Sequence, residues 1–523
     1  MNKRQSIKVL RRIVMGSILT LGYSACSPSH PDVADSATIK EAWNEFSNPS
    51  DSARTKVWWF HGETETTREG ITADLEAYKR AGVGGVVYYD QVHGKGEHAL
   101  PAFSAEWWEM LKFAASETKR VGLSFEINLS NGYVAGGPWI TKALSMQRLT
   151  ASDTIIRGKQ QFAAVLPAPG DDEFWDIAVL AFPVSQNQWM TNNSQRPKVT
   201  CNLPGVSAED FFRKKSRLTT IPPQQSGKSV YINLDFETSF TARSITYRVS
   251  KRSKASTGAM NVPGAPADEF YGSSYVKQPP LGQLEVSDDG INYSKVCDLK
   301  PIYQAAASRW DQKTVSFPAV TGRYFRLNLH DWCLAGDQRP EMALGNVTLS
   351  SRARIDQWEE RAGFYSEYIL KNLTPAYTDE EVIDSKTIVD LTSKMGTDGR
   401  LEWDVPEGDW VIMRFAHEST GGPSKHGRAN LKGLECDKMS VEAVTTQWNN
   451  YAARMIDTLS TINLKPDGVI MDSHEAGAQN WTPGFEQEFL RRKGYDLFSY
   501  LPAMMGYIAV SYTHLTLPTS DLV

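Results

Sequence analysis

Residues 467–483 read DGVIMDSHEAGAQNWTP. The run Val469-Ile470-Met471 has the length and composition of a fully buried strand, which places Asp472, His474 and Glu475 at its C-terminal end. In a parallel β/α barrel that end is where reactive side chains gather. Thr482 then supplies an N-cap and Pro483 a first helical position, with Phe485, Phe489 and Leu490 as the inward stripe. The segment predicts a strand, a loaded loop and a helix.

The same alternation is written upstream. Thr55–Phe60 (TKVWWF) is β-rich and ends in His61 and Gly62. Thr66 and Glu69 have capping-box spacing, and Ile71, Leu75 and Tyr78 share one helical face. Val86 to Tyr89 forms a second apolar strand with Asp90 just beyond it. A helix marked by Trp107, Leu111, Ala114 and Ala115 then leads to a strand at Leu123–Leu129, followed by Asn131. Three such steps predict an α/β fold, a (β/α)8 TIM-type barrel, with residues 53–174 as its first part.

From residue 175 to 351 the pattern changes to short alternating runs separated by turns: Tyr231–Phe236, Ala242–Val249, Gln283–Val286, Thr314–Phe317 and Tyr324–Leu329. Antiparallel pairing follows, so an inserted β-sandwich is expected to interrupt the barrel. Leu284-Glu-Val-Ser-Asp-Asp-Gly290 and Gly322-Arg-Tyr-Phe-Arg-Leu327 resemble galactose-binding-like sandwiches, a likeness that leaves a sugar-binding and a purely structural role equally open. Barrel character is expected to resume over residues 352–506. There Val411–Phe415 reads as a strand, and a helix begins after Ser440 through Val441, Val444, Trp448, Tyr451, Met455 and Leu459.

Composition narrows the function classes. With 523 residues, 56 Lys plus Arg against 61 Asp plus Glu, and a net charge of -5, the chain offers no basic field for nucleic acid. Fifteen Trp and 20 Tyr favour ring-stacking surfaces suited to sugars. Lys3, Arg4, Lys8, Arg11 and Arg12 precede a short apolar run that ends in Tyr23-Ser24-Ala25-Cys26. This resembles a bacterial lipoprotein signal (residues 1–26) with Cys26 lipidated, and implies an exported protein of the cell envelope that meets the membrane only through its anchor. Residues 27–52 then read as a tether. Cys201, Cys297, Cys333 and Cys436 lack metal or redox spacing and are expected to be unpaired.

Trp58-Trp59-Phe60-His61-Gly62, Gly70-Ile-Thr-Ala-Asp-Leu-Glu-Ala, Gly136-Gly-Pro-Trp139, Gly433-Leu-Glu-Cys-Asp-Lys-Met-Ser440 and the run from Asp472 to Gly484 together resemble glycoside hydrolase family 106, the α-L-rhamnosidases. The resemblance implies a barrel with β-rich attachments, calcium as cofactor, inversion at the anomeric carbon and a rhamnose-containing polysaccharide or oligosaccharide, pectic or otherwise, as substrate. Inversion requires an acid and a base roughly 6.5–9.5 Å apart.

Glu475 is the candidate acid, since His474 and Trp481 are placed to desolvate it; the same position also suits a carboxylate capping the next helix or pairing with arginine. Substrate contacts are expected from His61, Asp90, Asn131, Trp139, Asp472, His474 and Trp481. Glu435 and Asp437 are candidate metal ligands because calcium takes hard oxygen donors, and Glu418 is weighed with them. The resemblance places the base in a glutamate later in the barrel, and residues 507–523 do not continue the pattern. The chain therefore reads as a truncated enzyme fragment with a non-matching tail, the alternative being a catalytically inactive glycan-binding lipoprotein.

Overall fold

The computed structural model describes residues 36–92, 98–170, 173–185, 190–213, 217–222, 224–225, 228–249, 280–300, 302, 311–330, 338–339, 341–364, 377–472 and 479–509. Its first element is the helix α1 (Ser36–Ser47), in a stretch expected to be a tether; Trp43 and Phe46 stack on one another there and stay exposed.

A strand–helix alternation follows: β1 (Lys56–His61), α2 (Arg68–Arg80), β2 (Gly85–Asp90), α3 (Ala105–Val121) and β3 (Ser124–Asn128). Thr67, one residue after the expected position, caps α2 by accepting the Gly70 N–H at 3.0 Å. Gly122 closes α3 in the left-handed region at φ 76°, where a side chain would be strained. β1 and β2 run parallel, as do β2 and β3, and a Cβ at Gly85 would lie 1.8 Å from the Ser124 Oγ, so only glycine fits the β2–β3 contact. The helices cover one face of this sheet, with Trp59, Ile71, Leu75, Tyr88, Trp107, Leu111 and Ile127 in one core. Burying each such side chain contributes about 1.5–3 kcal/mol.

The chain then leaves the parallel sheet earlier than expected. β4 (Gln147–Arg157) and β5 (Phe174–Val184) belong to a separate antiparallel sheet. Next come β6 (Lys198–Cys201), β7 (Val230–Val249), β8 (Gly282–Ser287), β9 (Ser294–Leu299), β10 (Gln312–Leu329) and β11 (Met342–Ser350). Among the described residues these join one seven-stranded antiparallel sheet in the order β9-β8-β10-β7-β11, with Thr219–Ile221 beyond β11 and β6 also paired to β7. The separate strands expected at 231–236 and 242–249 are one long strand whose register shifts between Asp235 and Phe240. Thr314–Phe317 and Tyr324–Leu329 likewise merge into β10. Phe236, Phe240, Ile245, Phe325, Leu327 and Leu344 share the core of this unit.

Val411–Phe415, expected in the barrel, is instead the middle of β12 (Asp409–Ser419), antiparallel to both β4 and β5. Its two faces lie in two different cores, Val411, Met413 and Phe415 in one and Trp410 and Ile412 in the other, so this stretch is apolar on both sides and resembles a barrel strand in sequence. The anticipated single helix after Ser440 is two, α4 (Val441–Asn450) and α5 (Ala452–Ser460), broken at Tyr451. The chain returns to the parallel sheet with β13 (Gly468–Ile470), beside β3, giving the order β1-β2-β3-β13. Among the described residues this sheet has four strands and does not close. β13 is paired on one side only, and Val469 and Met471, read as buried, are 42% and 49% exposed.

The last long helix, α6 (Phe485–Lys493), starts after Gly484 at φ 80°, because the expected cap Thr482 donates its hydroxyl to Asp437 instead. Tyr507, Ile508 and Ala509 pack into the core that holds Phe182, Trp358 and Phe485. The Ile383 N–H reaches the Ile508 carbonyl at 2.7 Å, so the folded chain runs past the expected boundary at 506. Residues 510–523 lie outside the described residues.

A wholly buried ion pair, Lys313 on β10 with Glu360, joins the seven-stranded sheet to the segment after it; Thr314 donates to Glu359 at 2.7 Å and Trp358 Nε1 to Thr314 at 2.9 Å alongside. Lys313→Met strands the Glu360 carboxylate in the interior and is expected to cost about 3–5 kcal/mol, read as a lowered urea midpoint. Adding Glu360→Leu is expected to recover part of the loss.

Candidate active site

Strand alternation divides the candidate residues between two faces of the parallel sheet. Trp58 and Phe60 stand on one side, and Trp59 and His61 on the other, against the helices. In register with them, Tyr89 falls on the first side and Tyr88 and Asp90 on the second.

His61 stacks on Tyr88 with ring centroids 4.3 Å apart and meets the Trp59 ring edge-on. Burial lowers its pKa to about 3; Asp90 opposes that shift and Arg428 adds to it. Its Nε2 has no hydrogen-bond partner among the described residues. Asp90 is fully engaged: Oδ1 accepts from Arg428 Nε at 2.8 Å and Trp107 Nε1 at 3.3 Å, and Oδ2 accepts from the Tyr451 hydroxyl at 3.0 Å. Asn131 brackets the Arg428 backbone, accepting its N–H at 2.9 Å and donating to its carbonyl at 3.2 Å. His61, Asp90 and Asn131, expected at the substrate, are all buried here, with Asp90 and Asn131 both engaged by Arg428.

Trp139 donates to Gln447 Oε1 at 2.8 Å and packs against Ile140 and Tyr451. Trp481 is buried against Phe485, its backbone N–H directed to the Gln147 carbonyl at 3.3 Å. Of the two expected sugar platforms, Trp481 is a core residue and Trp139 is half-buried against the edge of one.

Asp472 alone of the described candidates lies on the open face, where the Tyr89 hydroxyl donates to its Oδ2. Tyr89 is wrapped by Trp58, Phe60 and Tyr133 at ring separations of 5.8, 5.3 and 6.2 Å. Trp58, Phe60 and Tyr89 are absent from the expected site residues, although the in–out alternation of KVWWFH already separates Trp58 and Phe60 from Trp59 and His61, and that of GVVYYD separates Tyr89 from Tyr88 and Asp90. His474, Glu475 and Cys26 lie outside the described residues.

Beyond that gap the chain is tied down again. Gln479 Nε2 donates to Asp437 Oδ1 at 2.5 Å and Thr482 to Asp437 Oδ2 at 2.6 Å. Asn480 accepts from the Leu149 N–H at 2.7 Å and donates to the Ala362 carbonyl at 2.8 Å. Glu435 is buried with Lys438 on its Oε1, and its Oε2 has no hydrogen-bond partner among the described residues. Burial raises its pKa, and Lys438 offsets part of that shift. Neither acid fits calcium, which takes about six to eight oxygen ligands. Asp437 already accepts three donors, counting the Met439 N–H at 2.9 Å, and an ammonium occupies the place of a cation at Glu435. Among the described residues no three His, Cys, Asp or Glu side chains form a metal-holding group. Glu418 is likewise taken up, by Arg148 at 2.6 Å. Cys201, Cys297 and Cys436 are unpaired, as expected.

A sequence profile for glycoside hydrolase family 106, described as α-L-rhamnosidase, matches residues 47–514. The solved structure of a rhamnosidase from Novosphingobium sp. PP1Y is similar, with a TM-score of 0.68 and 26% identity over 89% of this chain and 43% of the other. A Formosa agariphila protein provisionally named a β-glucuronidase is 23% identical over 477 residues, 90% of this chain and 27% of that protein. The chain thus spans less than half the length of the relatives it matches.

The buried histidines set an acid limit on stability. His61 is depressed to about 3 and His417 to about 4, both by burial first, from 6.5. The unfolded chain takes up these protons below about pH 6.5 and the folded chain does not. Their contribution is therefore intact above that pH and lost as pH falls through 6 and 5 toward 4. His61→Phe, which keeps the stacking on Tyr88, should flatten urea-derived stability over pH 6.5–4 by up to about 1.4 kcal/mol per pH unit. A slope equal to that of the unmodified protein refutes it.

Proposed function

The chain belongs to glycoside hydrolase family 106, and on that premise we propose that it releases terminal α-L-rhamnose from pectic or other rhamnose-bearing glycans by inverting hydrolysis. The reading is supported above all by Asp472, presented beside Tyr89 at the C-terminal end of β13, three residues before Glu475. Strand ends of this kind carry the reactive groups of (β/α)8 barrels, and we read the four parallel strands as an arc of one. The long bent strands β7 and β10 are in turn read as an inserted sandwich.

In this proposal Glu475 donates its proton to the glycosidic oxygen as the bond to the anomeric carbon breaks. Water attacks the opposite face of that carbon and yields its proton to a second carboxylate. No acid of this chain is assigned to that second role. Asp472, oriented by the Tyr89 hydroxyl, holds a sugar hydroxyl or the Glu475 loop. The half-exposed rings of Trp58 and Phe60 offer apolar faces to the methyl-bearing side of a deoxy sugar. The protein is further proposed to be exported and anchored through lipidated Cys26.

Glu475→Gln should reduce release of the aryl group from an aryl α-L-rhamnoside about 10²–10⁴-fold with KM little changed. Full turnover by this variant, or cleavage of an aryl β-glucuronide in place of the rhamnoside, overturns the assignment. Cys26→Ser should move the protein from the membrane fraction to the soluble one after cell fractionation; an unchanged distribution removes the anchor.

A further inference from the structure

The seven-stranded unit carries a built recess on the face away from its core. Ile232, Leu234, Phe325 and Leu327 point inward, so Tyr231, Asn233, Arg326 and Asn328 point outward between them. Asn233 lies opposite Arg326, and Arg326 opposite Glu285 on β8, forming one polar row across three strands. Thr200, Tyr231, Asn233, Gly290, Tyr293 and Arg326 line a hollow of about 340 Å³. This falls within the range of about 300–1,000 Å³ typical of small-molecule sites.

Its chemistry is neutral and organised. The Arg326 guanidinium lies 3.8 Å from the Tyr293 ring centre and 4.6 Å from that of Tyr231. Its Nε donates to Glu285 Oε2 at 2.6 Å. Burial would raise the Glu285 pKa, but hydrogen bonds from Asn328, Arg326 and Gln283 outweigh it and hold the carboxyl ionised. The positive charge is thus answered within the protein, and an anion gains little by entering. Tyr293 is delivered by a fixed turn: Asp289 accepts the Ile291 and Asn292 N–H groups at 2.8 Å each, and Gly290 takes φ 73°. Among the described residues the Tyr231 and Tyr293 hydroxyls and the Asn233 side-chain Oδ1 have no protein partner, and the buried Asn328 Oδ1 beside Tyr231 is also unmatched.

Unspent donors and acceptors around aromatic rings, with no net charge, match a polyol with alternating hydroxyls and C–H faces. We propose that this recess is a second, non-catalytic saccharide site that holds one or two uncharged sugar units of a glycan. The inference goes beyond the hydrolytic reading and stands without it. Rigid tyrosines already placed on a guanidinium lose little freedom on binding, which favours affinity from a shallow surface.

Saturation-transfer NMR on the full chain tests it, with neutral disaccharides ending in rhamnosyl, galactosyl or glucosyl units as probes. At least one should show transfer. Tyr293→Ala and Asn233→Ala should each weaken that binding at least about fivefold, whereas Tyr293→Phe, which keeps the ring on Arg326, retains most of it. Thermal midpoints and aryl rhamnoside hydrolysis should be unchanged in all three variants, which separates this site from the catalytic one. Absence of transfer from every neutral probe overturns the proposal. So does transfer that survives both alanine variants, or binding confined to a uronic acid.

Discussion

The pairing of Asp90 with Arg428 is the constraint on which the parallel-sheet part of the molecule turns. Both side chains are buried, and desolvating two charges costs several kcal/mol each unless geometry and further hydrogen bonds compensate. Here the compensation reaches across the chain. Asp90 gathers Trp107 from α3 and the Tyr451 hydroxyl from the α4–α5 break, and Arg428 adds the Leu100 carbonyl. Burial alone would lower the Arg428 pKa, yet Asp90 reverses the sign and holds it raised. One carboxylate thereby fixes the end of β2, the seat of α3 and the path of the chain over residues 426–431. The Val92 N–H bound to the His426 carbonyl at 2.7 Å completes that link.

The helix break at Tyr451 follows from the same pair. An uninterrupted helix over 441–460 would keep a single face toward the sheet. At φ -124° and ψ -78° Tyr451 leaves the helical region, and its hydroxyl meets Asp90 at 3.0 Å. On either side of the break, Ala443 packs beside Ile140 and Met455 beside Leu111. Two cores are served by one stretch of chain because a buried acceptor determines where the bend falls.

Much of this was legible in the residues. Apolar periodicity located β1, β2, β3, α2 and α3, and the run at 467–472 marked a strand parallel to β3. Misreadings arose where one local pattern serves two tertiary settings. β12 is apolar over 410–415 because each of its faces is covered by a separate core, and nothing local distinguishes that from a barrel strand. The roles of the candidate site residues were hard to read for a related reason. A His, Asp or Asn just after a strand serves equally as a ligand or as a buried tie, and the deciding partners are distant in sequence: Arg428 lies 297 positions from Asn131 and 338 from Asp90, and Tyr451 lies 361 from Asp90. Alternation within β1 and β2 was the available signal, since it puts Trp58 and Tyr89 on one face and His61 and Asp90 on the other.

Catalysis by proton transfer depends on holding a donor in one place before the substrate arrives. The residues flanking 473–478 meet that requirement by different means. On the near side Asp472 is held by a tyrosine inside an aromatic cage. On the far side Gln479, Asn480, Trp481 and Thr482 are each held separately, by Asp437, by the Leu149 and Ala362 backbone, by the Phe485 core and again by Asp437. Asp437, expected to bind metal, and Trp481, expected to bind sugar, thus serve the proposed acid indirectly. A carboxylate such as Asp437, with both oxygens accepting donors from one short stretch, fixes that stretch where the chain leaves the segment proposed to carry the acid.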